Sequence, residues 1–443
     1  MNLCRFLLVP WLGLVAPAWA EPAESAPARP LVLDEAIELA FAQNPDLAAA
    51  AARIGEAEAR VAEVTANFYP KLTARVEYSY TDNPALAFSN IVAQRRFDFG
   101  IDINHPGWVE NFRPEVVGTW NLYRGGQDSA LKKAAELGVE AAELERSALR
   151  NRLAAAVTAA YYAVLSAPKQ AEVAHRSVET VARELEYTQA RVAEGMAIKA
   201  DVLSLEVRAA TALEAELKAQ NALELARSAL KTLLGSGMMQ EFREVETPLP
   251  NPDGQFGRLL DQALRQRPET QAATRQVQIR EQELEAAHGG RLPRVNAYAG
   301  YGQNSRSPDF AFSRDNASIG VSAEVDLFSG GAVSARIAAA ERRVAEAQAV
   351  EQRTRLEIED ELRQAHSTLN EAVQRLKVAE AGAASAEEAL RLVHEQYRGG
   401  TATVTRYLEA ETDHAHADLR AILAGYEVRV AEARLRKALG HWR

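Results

Sequence analysis

The chain has 443 residues, 25% of them charged, and a formal net charge of −10. That length suits two or three ordinary domains, though an internal repeat can make it one architecture. The acidic balance argues against nucleic acid as a partner. The only cysteine, Cys4, stands at the start, which leaves no disulfide framework and no thiolate metal site.

Arg5 precedes an apolar run from Phe6 to Val15, and Ala18-Trp19-Ala20 puts small residues at cleavage-site positions. This pattern predicts a secretory signal peptide over 1–20, cleaved after Ala20, which removes Cys4 and takes the net charge to −11. No later apolar run reaches the roughly 18 residues a spanning helix needs. A Pro/Ala-rich linker follows over 21–30.

The first repeat is expected over 31–252. Short helices are predicted over 33–67, broken at Asn44-Pro45, because Asn caps a helix and Pro suits its first position. Pro70 ends them. Lys71 to Tyr80 then alternates strictly, with Leu72, Ala74, Val76, Tyr78 and Tyr80 on one face. A second strand is predicted over 115–123, with Val116, Gly118, Trp120 and Leu122 on one face, and Thr81 to Pro114 is read as a long loop. Long helices follow over 127–193 and 197–234, joined by a turn at Gly195.

The second repeat, 253–440, has the same order: short helices over 258–288, strands over 294–303 and 317–328, and long helices over 332–398 and 402–438, turning at Gly400. Gly126, Gly195 and Gly235 recur 205 residues later as Gly331, Gly400 and Gly440. Pro45 and Pro70 recur 223 residues later as Pro268 and Pro293. The 18-residue difference lies between Pro70 and Leu122, in the loop between the strands. Loops absorb length changes, whereas helices packed in register do not.

Each strand is about ten residues long with period two, the spanning length of a tilted membrane strand. A strand of a soluble sheet would alternate equally, but the export signal and the lack of enough strands to cover the apolar face favour a membrane. The helices carry small and apolar residues at steps of three and four, a stripe for helix-on-helix packing. In each half the short helix and the return helix are expected to stack end to end beside the long one. Four strands cannot close a barrel, and an open edge is not tolerated in lipid. Closure therefore needs two chains or three.

Several motifs then resemble the TolC family of outer-membrane factors. They are Asn44-Pro45-Asp46-Leu47, Leu122-Tyr123-Arg124-Gly125-Gly126, its partner Leu327-Phe328-Ser329-Gly330-Gly331, and the turns Glu194 to Leu203 and Arg398 to Leu408. The resemblance covers the whole chain after the signal. It implies an α+β membrane protein of two tandem repeats, each a β-hairpin and a long α-helical hairpin. A homotrimer would form a 12-strand outer-membrane β-barrel continued by a 12-helix periplasmic α-barrel. It further implies a passive exit duct in a Gram-negative outer membrane, docked through a periplasmic adaptor to an inner-membrane RND or ABC transporter. Small-molecule efflux is the leading expectation, since Ala87 to Phe97 resembles the long first loop of a subset paired with proton-driven drug exporters. Type I protein secretion and metal efflux share the scaffold.

The resemblance places the gate at the tip, around Gly195, Asp201, Gly400, Arg406 and Glu409. Asp201 and Glu409 fit acidic positions, whereas Arg406 stands where many relatives carry an acid. The expectation is that Asp201 and Arg406 link neighbouring helices in the closed state; the alternative is ordinary solvated charge after a turn. Tyr78, Tyr80, Trp120, Tyr123, Tyr301 and Phe328 are expected to form an interfacial aromatic belt. Pro168 falls mid-helix, where a bend is expected. No cofactor or catalytic group is expected: His414 and His416 are two apart on a helix and face apart, unlike a metal pair at i, i+4. A periplasmic coiled-coil adaptor is the rival of another class, but it would carry one hairpin, not two each preceded by a strand pair.

Overall fold

A computed structural model of the protein describes residues 30–235, 241–243, 248, 250, 255–310 and 312–442. The expected signal peptide, the linker up to its last residue, and the boundary between the repeats at 252–253 lie outside these residues. Among them, no helix is long and apolar enough to cross a membrane.

The first repeat opens with α1 (Leu33–Gln43) and α2 (Pro45–Thr65), followed by a 3-10 turn at Ala66–Phe68. The Asn44 side chain accepts from the Asp46 N–H at 2.8 Å and, with Pro45, starts α2. Then come β1 (Lys71–Thr81), α3 (Pro84–Ala93), β2 (Val109–Arg124), α4 (Gln127–Ala193) and α5 (Lys199–Leu234). The second repeat runs α6 (Phe256–Gln266), α7 (Pro268–Gly289), β3 (Arg294–Gln303), β4 (Asp315–Glu324), α8 (Ala332–Arg398) and α9 (Val404–Ala438).

Both long helices have the expected bounds, 67 residues each, or about 100 Å at 1.5 Å per residue. Helix α4 continues through Pro168. The return helices start two residues later than expected, at 199 and 404, because Ile198 and Thr403 are extended N-caps. The short helices of the second half start at 256 and end at 289, with an interruption at Arg267.

Three strand-region expectations need correction. The stretch between the first two strands is not all loop, since Asn83 caps α3 by accepting from Ala85 N and Leu86 N. Strand β2 starts at Val109, not 115, and passes through Pro114. Phe112 donates its N–H to Ser305 O at 2.7 Å, so the Pro114 nitrogen, two residues on, faces the same side, just beyond where β3 begins to pair at Glu115. It stands opposite Gln303, the last residue of β3, between the Glu115–Gly302 pair and the Phe112–Ser305 bridge, and the ring leaves the ladder one donor short there. Strand β4 covers 315–324, not 317–328. Arg294, the first residue of β3, pairs with Glu324, so within the chain 325–328 have no strand to pair with.

The sheet is antiparallel with order β1-β2-β3-β4. Lys71 pairs with Thr119, and their repeat counterparts Arg294 and Glu324 pair likewise, so both hairpins share one register. That register puts Leu72, Gly118, Ala299 and Ile319 in one row and Ala74, Val116, Tyr301 and Ala317 in another. One face is therefore apolar up to its far margin, where Glu110, Gln303 and Asp315 lie, and Leu72, Val76, Ile319 and Val321 on it are exposed.

The helices form four columns. α4 packs against α5 and α2 on one side and against α7 and α9 on the other, and α8 packs against α7 and α9. The order is thus α2 over α5, then α4, then α7 over α9, then α8. At the joint between α5 and α2, Asn44 Nδ2 donates to Leu233 O at 2.9 Å. Its repeat counterpart Arg267 is buried and instead binds Glu269 and Glu361. The first joint encloses a core of α1, α4 and α5 in which the Tyr161 hydroxyl lies within hydrogen-bond distance of Leu31 O and Arg243 O.

Candidate functional site

The turns α4–α5 and α8–α9 lie together at the end of the helices remote from the sheet. Each is closed by a glycine in the left-handed region, Gly195 at φ 75° and Gly400 at φ 74°, a conformation side chains resist. Met196 N donates to Arg191 O at 2.8 Å, and 205 residues later Thr401 N donates to Gln396 O at 2.9 Å. The two turns are one motif used twice.

Behind the turns, the two hairpins share one core. Val181 and Leu205 of the first pack with Val393, Tyr397, Val404, Tyr407 and Leu408 of the second. Tyr397 and Tyr407 stack with centroids 5.4 Å apart. The Tyr397 hydroxyl donates to Glu184 Oε1 at 2.7 Å, joining α8 to α4, and Thr188 Oγ1 reaches the same oxygen at 3.4 Å. Burial raises the pKa of Tyr397 and pushes Tyr407 up to about 12, so both hydroxyls keep their protons and Tyr397 stays a donor to Glu184. One turn further in, Ser177 Oγ on α4 donates to Glu411 Oε1 on α9 at 3.1 Å. Burial holds the pKa of the Glu411 carboxyl above the ordinary carboxylate value, against the lowering effect of Ser177, Arg208, His414 and His416.

The charges expected at this end lie outside that core. Arg406 pairs with Glu409 on its own helix at 3.4 Å, with side chains 63% and 55% exposed. Asp201 lies in the first turn of α5, and among the ion pairs of the described residues none joins it to Arg406. The buried link Tyr397–Glu184 was not anticipated. A signal for it exists in the repeat: Tyr397 and Tyr407 stand where the first copy has Val192 and Val202.

At the other end, the aromatic side chains sit in two groups on the apolar face. Trp120 and Tyr123 lie near the helices with Phe68 and Phe328, and Trp120 Nε1 donates to Phe68 O at 2.9 Å. Tyr78 and Tyr80 lie at the far edge, Tyr80 stacked on Trp108 at 4.7 Å, and Tyr301 lies between the groups, level with Val116. From Trp120 to Phe112, the partner of Tyr78, is eight residues of β2, roughly 20 Å of height for a strand tilted at about 45°. Phe328 lies beyond β4 and is exposed.

The outer membrane efflux protein family matches residues 36–236 and 259–441, one match to each repeat. The chain belongs to that family. Among its relatives, Protein CyaE of Bordetella pertussis is 26% identical over 446 residues, covering 97% of this chain and 88% of the relative. Outer membrane protein TolC of Vibrio cholerae is 26% identical over 325 residues, covering 71% and 72%. Among solved structures, the outer-membrane channel OprN superimposes with a TM-score of 0.78 at 22% identity, over 92% of this chain and 89% of that one. The membrane channel CusC does so at 0.79 and 19%, over 96% and 99%. As an outer membrane efflux protein the chain is a Gram-negative outer-membrane exit channel with a periplasmic extension, and its helix-rich fold with one small sheet is that of the solved channels.

Proposed function

We propose that three copies close into a 12-strand barrel continued by a 12-helix tunnel, which serves as the passive outer duct of a tripartite export system. The carrying observation is that the chain's two edges coincide in sheet and helices. β1 and the α2/α5 column form one edge, β4 and α8 the other, and both are open. Edges of two kinds join head to tail and generate rings. Three chains rather than two follow from the need for a lumen, because eight strands enclose little more than their own side chains.

The repeat supplies the register of the seam. Inside the chain, the copies meet where Val116 pairs with Tyr301. Shifting β2 onto β4 by 205 residues and β3 onto β1 by 223 sets Val321 against Tyr78 of the partner subunit. Both lie on the apolar face. The same shift sets Val325 against Ala74 of the partner subunit, giving the residues after β4 their missing strand. The test is oxidative cross-linking of the double variant Val321→Cys, Tyr78→Cys in outer membranes. A ladder ending at three chains is expected, and Ile319→Cys with Tyr78→Cys, one row off, should cross-link poorly. A ladder ending at two, or none, refutes the trimer.

The tip is the gate. The core shared by the two hairpins and the Tyr397–Glu184 bond hold it shut, and an adaptor opens it by competing for the hairpins. For Asp201 and Arg406 to link neighbouring helices, Arg406 must first leave Glu409. Small-molecule efflux, driven by an RND or ABC transporter in the inner membrane, is the favoured cargo class, supported by the family description. Protein secretion is the second reading, favoured by the alkaline protease secretion protein AprF of Pseudomonas aeruginosa, 24% identical over 59% of this chain and 54% of that relative. The two groups of aromatic residues, Tyr78 and Tyr80 above and Trp120, Tyr123 and Phe328 below, serve as the barrel's interfacial belt.

A further inference from the structure

The face of the sheet opposite the apolar one is unevenly charged. On the second hairpin, beyond the Arg294–Glu324 pair, it holds only Asn, Ser, Gly and Tyr298. On the first hairpin it holds Lys71, Arg75 and Arg113 against Glu77 and Glu115, while Arg124, at the helix end, is neutralised by Asp128 of α4 at 3.0 Å. The excess is one positive charge per chain, in a protein whose whole sequence is strongly acidic.

Three of these groups form one cluster. Arg75 Nε donates to Glu115 Oε1 at 2.7 Å, and Arg113 Nη2 lies 2.8 Å from Glu115 Oε2. Two guanidiniums thus share one carboxylate. The carboxylate is the covered member, 8% exposed, while Arg75 and Arg113 are 58% and 46% exposed. Gly302, the register partner of Glu115 on β3, makes room for it: a Cβ added there would lie 2.6 Å from Glu115 Cβ. The carboxylate is therefore seated against the wall under two cations, each with free donors facing the open side. Guanidinium forks bind oxyanions and repel cations.

We propose that the Arg75–Glu115–Arg113 cluster is an anion-contact site of the barrel wall, which makes the lumen favour anionic solutes. The proposal rests on the closed-barrel reading, since only closure turns this face inward and repeats the cluster around the ring. At about 0.1 M salt a unit charge about 7 Å from a permeating ion raises the local anion concentration and lowers the cation's by about 1.6-fold each, so their ratio moves about threefold.

The test uses purified full-length protein in planar bilayers, with potassium chloride as the probe and the reversal potential across a salt gradient as the readout. The Arg75→Gln and Arg113→Gln variants each leave Glu115 one partner, and each should lower the chloride-to-potassium permeability ratio about threefold per charge removed. Glu115→Gln frees both guanidiniums and should raise it. Each ratio is also taken in a Tyr397→Phe background, which weakens the tip's contribution. Channels that conduct while all three ratios stay unchanged in both backgrounds overturn the anion site and leave the duct intact. Absence of any conductance overturns the duct, and the site with it.

Discussion

Replacing Tyr397 by Phe removes one hydroxyl and keeps the ring stacked on Tyr407. The lost bond runs to a carboxylate from a side chain only 6% exposed. Hydrogen bonds to charged groups contribute about 1.5–3 kcal/mol, so each subunit's balance should move toward open by about 10- to 150-fold. Thr188, at 3.4 Å from the same oxygen, keeps Glu184 partly satisfied, which argues for the lower half of that range. The Arg406–Glu409 pair is exposed, and such pairs contribute only about 0.2–1 kcal/mol; Arg406→Ala should shift the balance no more than about fivefold. The assay is single-channel recording in planar bilayers without adaptor, scored as the fraction of time open. The reasoning fails if Tyr397→Phe leaves that fraction at the wild-type value while Arg406→Ala raises it.

The tip should also respond to pH. Glu411 has a folded pKa raised by burial, so the folded state holds the proton more tightly and stability falls as pH rises from the ordinary carboxylate value through the raised one. His175 on α4 is raised chiefly by its hydrogen bond to Glu216 on α5, 2.8 Å away, and its contribution is present below about pH 6.5 and lost as pH rises through the higher folded value. Both act in the same direction, so hydrogen exchange at the tip, corrected for intrinsic rate, should show more protection at pH 5.5 than at pH 8; equal or reversed protection would count against the assignment. At the junction of strand and helix, Gly125→Ala should prevent folding, because a Cβ there falls on the Gly289 carbonyl as well as straining a φ of 63°. Its counterpart Gly330→Ala meets nothing within 4 Å inside the chain, so a lone subunit should lose only the strain of about 1–2 kcal/mol; thermal denaturation separates the two.

Much of the fold was legible because the repeat fixes it twice. Glycine at both ends of a fixed 67-residue span bounds α4 and α8, and Asn44-Pro45 starts α2. Asn83-Pro84 carries the same signature and starts α3, but a stretch that varies in length between the copies reads as loop. Pro114 reads as a strand's start, because a missing donor looks like an end, and only the Phe112–Ser305 bridge shows that pairing resumes beyond it. Alternation carried β4 four residues too far, since period two records which way side chains face and not whether a partner strand is present. At the tip the turns were legible and the bond behind them was not. Tyr397 and Glu184 are 213 residues apart and belong to different copies, and no local pattern announces such a pair.

The two unpaired margins of the sheet have a cost before assembly. A newly exported subunit presents bare backbone donors and acceptors on β1 and β4 and an uncovered apolar face, in water, at a length suited to pairing with any extended peptide. In the closed ring proposed above these surfaces become seam and lipid contact; until then they are a hazard of misassembly that grows with concentration. Overproduction should therefore outrun membrane insertion and yield aggregates rich in intermolecular strand. Periplasmic holdases should be needed for the short interval when the chain is folded enough to be sticky and not yet enclosed by its own copies.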